Sequence, residues 1–183
     1  MRQQFQLWRG EYGFSKQDFE YFEQLVESIQ TDTATVGKDE VADTKARSSK
    51  ISWLNNSPWL RERLWSFAEE ANRRAFAFDV TRSCDIQYTE YLAEDKGHYD
   101  WHIDTLFGHD KTFDRKLSLT VQLSDPSDYE GGEFDLEFSD LPDWYKEKGT
   151  ILVFPSYLKH RVAPVTKGKR KSLVVWFEGP RWR

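Results

Sequence analysis

Residues 84–104 read CDIQYTEYLAEDKGHYDWHID, and residues 149–178 read GTILVFPSYLKHRVAPVTKGKRKSLVVWFE. Both are made of short runs rich in aromatic and β-branched side chains, cut by turn signals, the pattern of strands. The same texture continues between them. It predicts strands near 84–92, 98–104, 116–124, 133–138, 150–154, 159–165 and 171–178. Turns are predicted at Asp125-Pro126, Gly131-Gly132, Pro142-Asp143, Gly149 and Lys167-Gly168. Upstream the period changes. Ser15-x-x-Asp18 is close to a capping box, and Phe19, Phe22, Leu25, Val26 and Ile29 come after it at helical spacing. Ser57-Pro58 places an N-cap residue before a first-turn proline. Leu60, Leu64, Phe67, Ala68, Ala71 and Ala75 then form an apolar stripe. Two helices followed by many short strands predict an α+β, mainly β fold. The expectation is a double-stranded β-helix, or jelly roll, with N-terminal helices packed on one sheet. Residues 1–183 are expected to form one domain, with helical support over about 1–80 and the jelly-roll core over about 81–180.

The 21 residues from 30 to 50 interrupt this order. They are polar and aperiodic and predict a long loop with room for one short strand. Loops of that length in a compact domain are often functional. Net charge is −5, which argues against sequence-independent nucleic-acid binding through Lys and Arg. The local run Lys167, Lys169, Arg170, Lys171 is basic, and for its lysines a solvated turn is the ordinary reading. No apolar run approaches a membrane span, and the opening residues have no apolar h-region. Cys84 is the single cysteine, so no intrachain disulfide can form. A cytoplasmic protein is expected.

The chain has four histidines: His98, His102, His109 and His160. In His102-Ile103-Asp104 an imidazole and a carboxylate stand two residues apart, on one face of a strand. His160 lies in a later predicted strand. If the two strands are neighbours, the three side chains form one triangular face. Two histidines and a carboxylate with open positions opposite suit a non-haem Fe(II) oxygenase. Alone, a His-x-Asp pair is a weak signal; the residues after His160 strengthen it. Arg170 comes ten residues later, with Ser172 at the same side-chain parity. Thr166-Lys167-Gly168-Lys169 reads as a turn that returns Arg170 toward the metal strands. A guanidinium there can clamp the far carboxylate of a metal-chelating dicarboxylate such as 2-oxoglutarate.

With these residues in view, the chain resembles the Fe(II)/2-oxoglutarate-dependent dioxygenase superfamily, in its prolyl 4-hydroxylase-like (PKHD-type hydroxylase) group. The resembling segments are QYTEYLAEDKGHYDWHIDT, RKLSLTVQLSDPSDYEGGEFDL and GTILVFPSYLKHRVAPVTKGKRKSLVVWF. The resemblance implies that His102, Asp104 and His160 hold Fe(II) and serve as the catalytic centre, and that Arg170 binds the tail of 2-oxoglutarate. It places Tyr91 and Tyr99 in the co-substrate or substrate pocket. Gln122 falls where oxygen-sensing relatives carry a tyrosine that touches 2-oxoglutarate, and Ser118 and Thr120 share its inward parity. Gly131-Gly132-Glu133 reads as a tight turn launching a strand, and His98 and His109 as flanking residues. The implied reaction consumes O₂ and 2-oxoglutarate, releases succinate and CO₂, and hydroxylates a C–H bond, with L-ascorbate expected to stimulate. Peptidyl proline is the favoured substrate. A free amino acid, a small metabolite or another side chain is the alternative. A non-catalytic jelly-roll binding module and a zinc hydrolase on the same ligands are further readings. Trp101 and the 30–50 loop, with Arg47, Ser48 and Trp53 near its end, are candidates for the substrate rim or a lid.

Overall fold

The computed structural model describes residues 7–10, 13–27, 32–33, 45–105, 107 and 110–183. Helix α1 (Lys16–Glu27) starts at the predicted cap. Ser15 N and Oγ both donate to Asp18 Oδ2 at 2.8 Å, and Asp18 N donates back to Ser15 Oγ at 3.1 Å. The shorter Asp therefore closes the reciprocal box. Asp18 also accepts from Arg63 of helix α2 (Pro58–Ala71), Nη2 to Oδ2 at 2.9 Å, which ties the helices together. Ser57 caps α2, its Oγ accepting from Leu60 N at 3.3 Å. The predicted stripe is buried from Leu60 to Ala71, joined by Trp65. Ala75 falls outside the α-helix, in a wider π-turn (Asn72–Phe76) that ends at Ala77 with φ 54°. The Asn72 side chain holds this end, bonding both Phe78 N and Phe78 O at 2.8 Å.

Twelve strands are present among the described residues: β1 (Trp8–Arg9), β2 (Asp32–Thr33), β3 (Arg47–Ser48), β4 (Lys50–Trp53), β5 (Cys84–Leu92), β6 (His98–His102), β7 (Phe113–Gln122), β8 (Tyr129–Gly131), β9 (Phe134–Leu136), β10 (Ile151–Pro155), β11 (His160–Val162) and β12 (Val165–Pro180). The larger sheet runs β1-β10-β7-β12-β5-β4-β2, with β8 added on the first part of β12. The smaller runs β3-β6-β11-β9. All these pairs are antiparallel, and the two sheets make the expected jelly roll.

Side-chain alternation divides the larger sheet. Ile86 and Tyr88 of β5, Leu117, Leu119 and Val121 of β7, Ile151 and Val153 of β10, and Leu173, Val175 and Phe177 of β12 share one core with Phe14, Phe22, Leu60, Leu64 and Phe67. That face carries the helices. Each large side chain buried there contributes roughly 1.5–3 kcal/mol. The opposite parity faces the smaller sheet, and it is polar where the outer face is apolar. Gln87, Thr89, Ser118, Thr120, Gln122, Arg170 and Ser172 are all buried on it.

Three sequence expectations change. The chain-reversing turn predicted at residues 166–169 is absent. Arg170 belongs to one long strand that switches partner: Val165–Gly168 pairs with β8, and Lys169 onward pairs with β5. Gly168, at φ +68°, serves this switch; a Cβ there would sit 2.0 Å from Asp128 O. Next, β6 ends at His102, so Asp104 lies just beyond the strand. Finally, the predicted loop contributes two short strands, β2 and β3, and β4 begins at its last residue. Residues 34–44 and Ile29 lie outside the described residues, and with them most of the expected lid. No described helix is long and apolar enough to cross a membrane.

Candidate active site

β6 and β11 are neighbours in the smaller sheet, with His102 directly opposite His160. Asp104 is steered to the same point by a different device. Its backbone N and that of Thr105 donate to Ser156 O at 2.9 and 3.1 Å. One ligand-type atom from each of His102, Asp104 and His160 lies within 4.8 Å of the others. The Nε2 atoms of His102 and His160 stand 3.6 and 3.4 Å from Asp104 Oδ1 and Oδ2.

The hydrogen bonds behind these atoms fix their chemistry. His102 Nδ1 donates to Asp100 O at 2.7 Å, and His160 Nδ1 donates to Leu158 O at 2.9 Å. A carbonyl can only accept, so each Nδ1 carries the hydrogen. Each ring then turns its Nε2 toward the Asp104 carboxylate. Lone pairs facing an anion repel unless a proton or cation lies between them. Burial, and then the neighbouring His160, pushes the His102 pKa down to about 4. Burial alone would raise the Asp104 carboxyl. His160, His102 and the Ser118 hydroxyl, donating to Oδ2 at 2.6 Å, outweigh it and hold the group below its usual range. The atoms that converge are thus two imidazole nitrogens and a carboxylate oxygen. That donor set fits a divalent transition-metal ion with open positions. The Tyr99 ring stacks on His102 at 3.5 Å and 15°, and Phe154 packs edge-on against His160 at 4.9 Å.

One pocket holds this cluster together with Arg170, Ser172, Tyr91 and Tyr99. Arg170 is 1% exposed, and among the described residues no carboxylate pairs with it. Its Nη2 donates to Gln122 Oε1 at 2.9 Å, its Nη1 to Ser172 Oγ at 3.4 Å, and its Nε has no partner. The Tyr91 ring lies 5.5 Å from its Cζ. Gln122 therefore stands against Arg170, with its own amide nitrogen unsatisfied. A buried guanidinium without a counter-charge is costly and calls for an anion. Gly132 makes room for it: a Cβ there would approach Arg170 Cδ to 2.9 Å.

The other sequence candidates separate. Thr120 lines the pocket, whereas Ser118 stands behind Asp104. Trp101 is exposed under Arg161, and Trp53 is exposed beside Trp176. Ser48 donates to Asp95 O at 3.1 Å. His98 is outside the cluster, its ring nitrogens against Lys96 O and Lys45 O, and His109 lies outside the described residues. Lys167 and Lys169 pair with Glu130 and Glu90, as a solvated basic run would. Sequence reasoning missed Gln87, Val174 and Trp176 as pocket walls, though each shares parity with a named candidate. It placed Arg47 on the rim, yet Arg47 is 6% exposed and lines the pocket itself.

Comparison with known proteins agrees with this geometry. The family model described as the 2OG-Fe(II) oxygenase superfamily matches residues 86–178. A PKHD-type hydroxylase of Synechococcus sp. (strain CC9311) is 41% identical over 163 residues, 85% of this chain and 72% of that protein. A prolyl-4-hydroxylase from Pseudomonas putida superposes with TM-score 0.70 at 16% identity, covering 97% of this chain and 94% of its own. A prolyl hydroxylase from Trichoplax adhaerens, in complex with a hypoxia inducible factor oxygen degradation domain peptide fragment, gives TM-score 0.73 at 18% identity, covering 94% and 83%. The two structures establish likeness of fold. The family match and the Synechococcus relative establish kinship: the chain belongs to the 2OG-Fe(II) oxygenase superfamily, with the PKHD-type hydroxylases.

Proposed function

We propose that this chain is a peptidyl-prolyl hydroxylase in which His102, Asp104 and His160 hold Fe(II) and Arg170 holds 2-oxoglutarate. The observation that carries this is the pairing, in one pocket, of a His-Asp-His cluster with a buried guanidinium that has no carboxylate partner among the described residues. When bound, the iron with 2-oxoglutarate and O₂ supplies the oxidation, giving succinate, CO₂ and a hydroxylated C–H carbon. The chain's own part is orientation and charge. Asp100 O and Leu158 O hold a hydrogen on each Nδ1 and leave both Nε2 atoms turned to the cluster. Ser118 and the backbone bonds to Ser156 aim Asp104. Arg170 neutralises the co-substrate tail, with Ser172 and Gln122 beside it and Tyr91 under the guanidinium. Tyr99 braces His102. Phe134, Phe154 and Val162 keep the pocket wall apolar, which favours a dry reaction space. L-ascorbate is expected to stimulate by keeping iron reduced, and the whole chain acts as one catalytic domain.

The proline assignment rests on kinship with PKHD-type hydroxylases and on the fold shared with prolyl hydroxylases. Incubation with Fe(II), 2-oxoglutarate, ascorbate and a proline-peptide library tests both levels. Succinate formation that requires both iron and 2-oxoglutarate supports the oxygenase, and a +16 Da proline identifies the substrate. Absence of succinate under all conditions would favour a binding module or a zinc hydrolase. Succinate without any modified proline would leave the oxygenase and remove the prolyl assignment.

A further inference from the structure

Arg170 is one of two arginines on the pocket wall. The other, Arg47, comes from β3 in the smaller sheet, where it pairs in register with Tyr99. Its guanidinium is buried and reaches across to the larger sheet. There Nη2 donates to Gln87 Oε1 at 2.6 Å, while Nε donates to Ser49 Oγ at 2.8 Å. Both acceptors are neutral. Among the described residues no carboxylate pairs with Arg47, and its Cζ lies 4.6 Å from the Tyr99 ring centroid. The Tyr99 ring in turn stacks on His102, so one aromatic ring links Arg47 to the metal cluster.

The arrangement repeats the one at Arg170. In each case a buried arginine donates to a glutamine side-chain oxygen and, among the described residues, meets no acid. Gln87 Oε1 also takes the Thr89 hydroxyl at 3.3 Å. Gln87 itself lines the pocket. A guanidinium is a planar fork of N–H donors suited to a carboxylate. A purely structural tie between the sheets would not need the charge, since neutral side chains make such a link without burying a cation. A single molecule of 2-oxoglutarate, seated between the metal and Arg170, leaves this second cation without an acid among the described residues.

We infer that Arg47 and Gln87 form a second anion seat, which takes a carboxylate of the substrate beside the reacting carbon. This rests on the reading that Arg170 holds the co-substrate. Because Arg47 is buried, the anion must enter the pocket with the carbon to be hydroxylated. The shared chemistry is a carboxylate; its source is a free amino acid, a chain-terminal residue, or an acidic side chain next to the target.

The test uses the full chain loaded with Mn(II), which binds without turnover, and saturated with 2-oxoglutarate. Three acid–amide probe pairs are titrated: L-proline and L-prolinamide; Ala-Ala-Pro with a free or amidated C-terminus; and blocked Ala-Pro-Glu-Ala and Ala-Pro-Gln-Ala. In at least one pair the acid is expected to bind about tenfold tighter or more, the size of a charged hydrogen-bonded contact, and the pair identifies the source. Arg47→Gln should shrink that preference to about twofold or less, with 2-oxoglutarate affinity unchanged. Should Arg47→Gln fail to fold, Gln87→Leu replaces it, with an expected loss of about threefold in preference. The inference is overturned if no pair shows a preference, if the preference survives the substitution, or if Arg47→Gln weakens 2-oxoglutarate as much as the probe. Failure of the wild-type protein to bind 2-oxoglutarate at all would instead bring down the reading of Arg170, and this inference with it.

Discussion

Replacing Arg170 by methionine keeps most of the side-chain volume and removes the buried positive charge. Two effects oppose each other in the ligand-free protein. Gln122 Oε1 loses its 2.9 Å donor, which costs about 1–3 kcal/mol. Removal of an uncompensated buried cation returns a similar amount. Ligand-free stability should therefore stay within about 2 kcal/mol of wild type. Co-substrate binding should not survive so well. Removing one partner of a buried charge pair costs about 3 kcal/mol, a rise in Kd of roughly two orders of magnitude. With 2-oxoglutarate at about one hundred times the wild-type Kd, the wild type gains about 2.7 kcal/mol on binding and the variant about 0.4 kcal/mol. For a chain of this size that is a rise in melting midpoint of roughly 5–11 °C against roughly 1–2 °C. The assay is thermal melting of Mn(II)-loaded protein with and without 2-oxoglutarate. An equal upward shift in Arg170→Met would refute the reasoning, because Arg170 would then be a strut and not an anion seat. A collapse of ligand-free stability, with the shift retained, would say the same.

Other consequences test neighbouring parts. His102→Ala and Asp104→Ala should each abolish Mn(II) binding and turnover while leaving far-ultraviolet circular dichroism unchanged; calorimetry that still shows stoichiometric metal would remove the residue from the cluster. The His102 pKa, about 4 when folded, lies below its unfolded value, so the folded state binds fewer protons between the two. Metal-free stability should accordingly be full above about pH 6.5 and fall as pH drops toward about 4, by roughly 3 kcal/mol. Urea melts across that range would check this, and the fall should be smaller in His102→Gln. Gly132→Ala must accommodate a Cβ 2.9 Å from both Arg170 Cδ and Val165 Cγ2 at φ +64°. It should cost about 1–3 kcal/mol in urea melts and loosen 2-oxoglutarate binding as well.

The residues themselves determined the local pieces, because each rests on a short-range rule. A Ser-Asp box and a Ser-Pro start mark helices through bonds made within one turn. Alternation along β5, β7 and β12 sorts apolar from polar side chains, and it extended the inward position that the resemblance gave Gln122 to Ser118 and Thr120, and that of Arg170 to Ser172. The family resemblance supplied roles for the His102, Asp104, His160 and Arg170 set.

Only the tertiary structure decided what depends on pairing between distant segments. The bend after β6 that turns Asp104 toward the histidines is held by Ser156 O, 52 positions downstream, and no local pattern announces it. The turn expected before Arg170 follows from Gly168, which has the character of a turn residue. In the fold it lets one strand leave β8 and join β5. Arg47 looked like a loop charge in a polar, aperiodic stretch. It became a buried pocket wall because β3 pairs with β6 and its side chain crosses to Gln87 on the other sheet. Periodicity records which way a side chain points from its own strand; which neighbours it meets there is settled by strand pairing and sheet packing, whose partners lie too far along the chain for local propensity to encode.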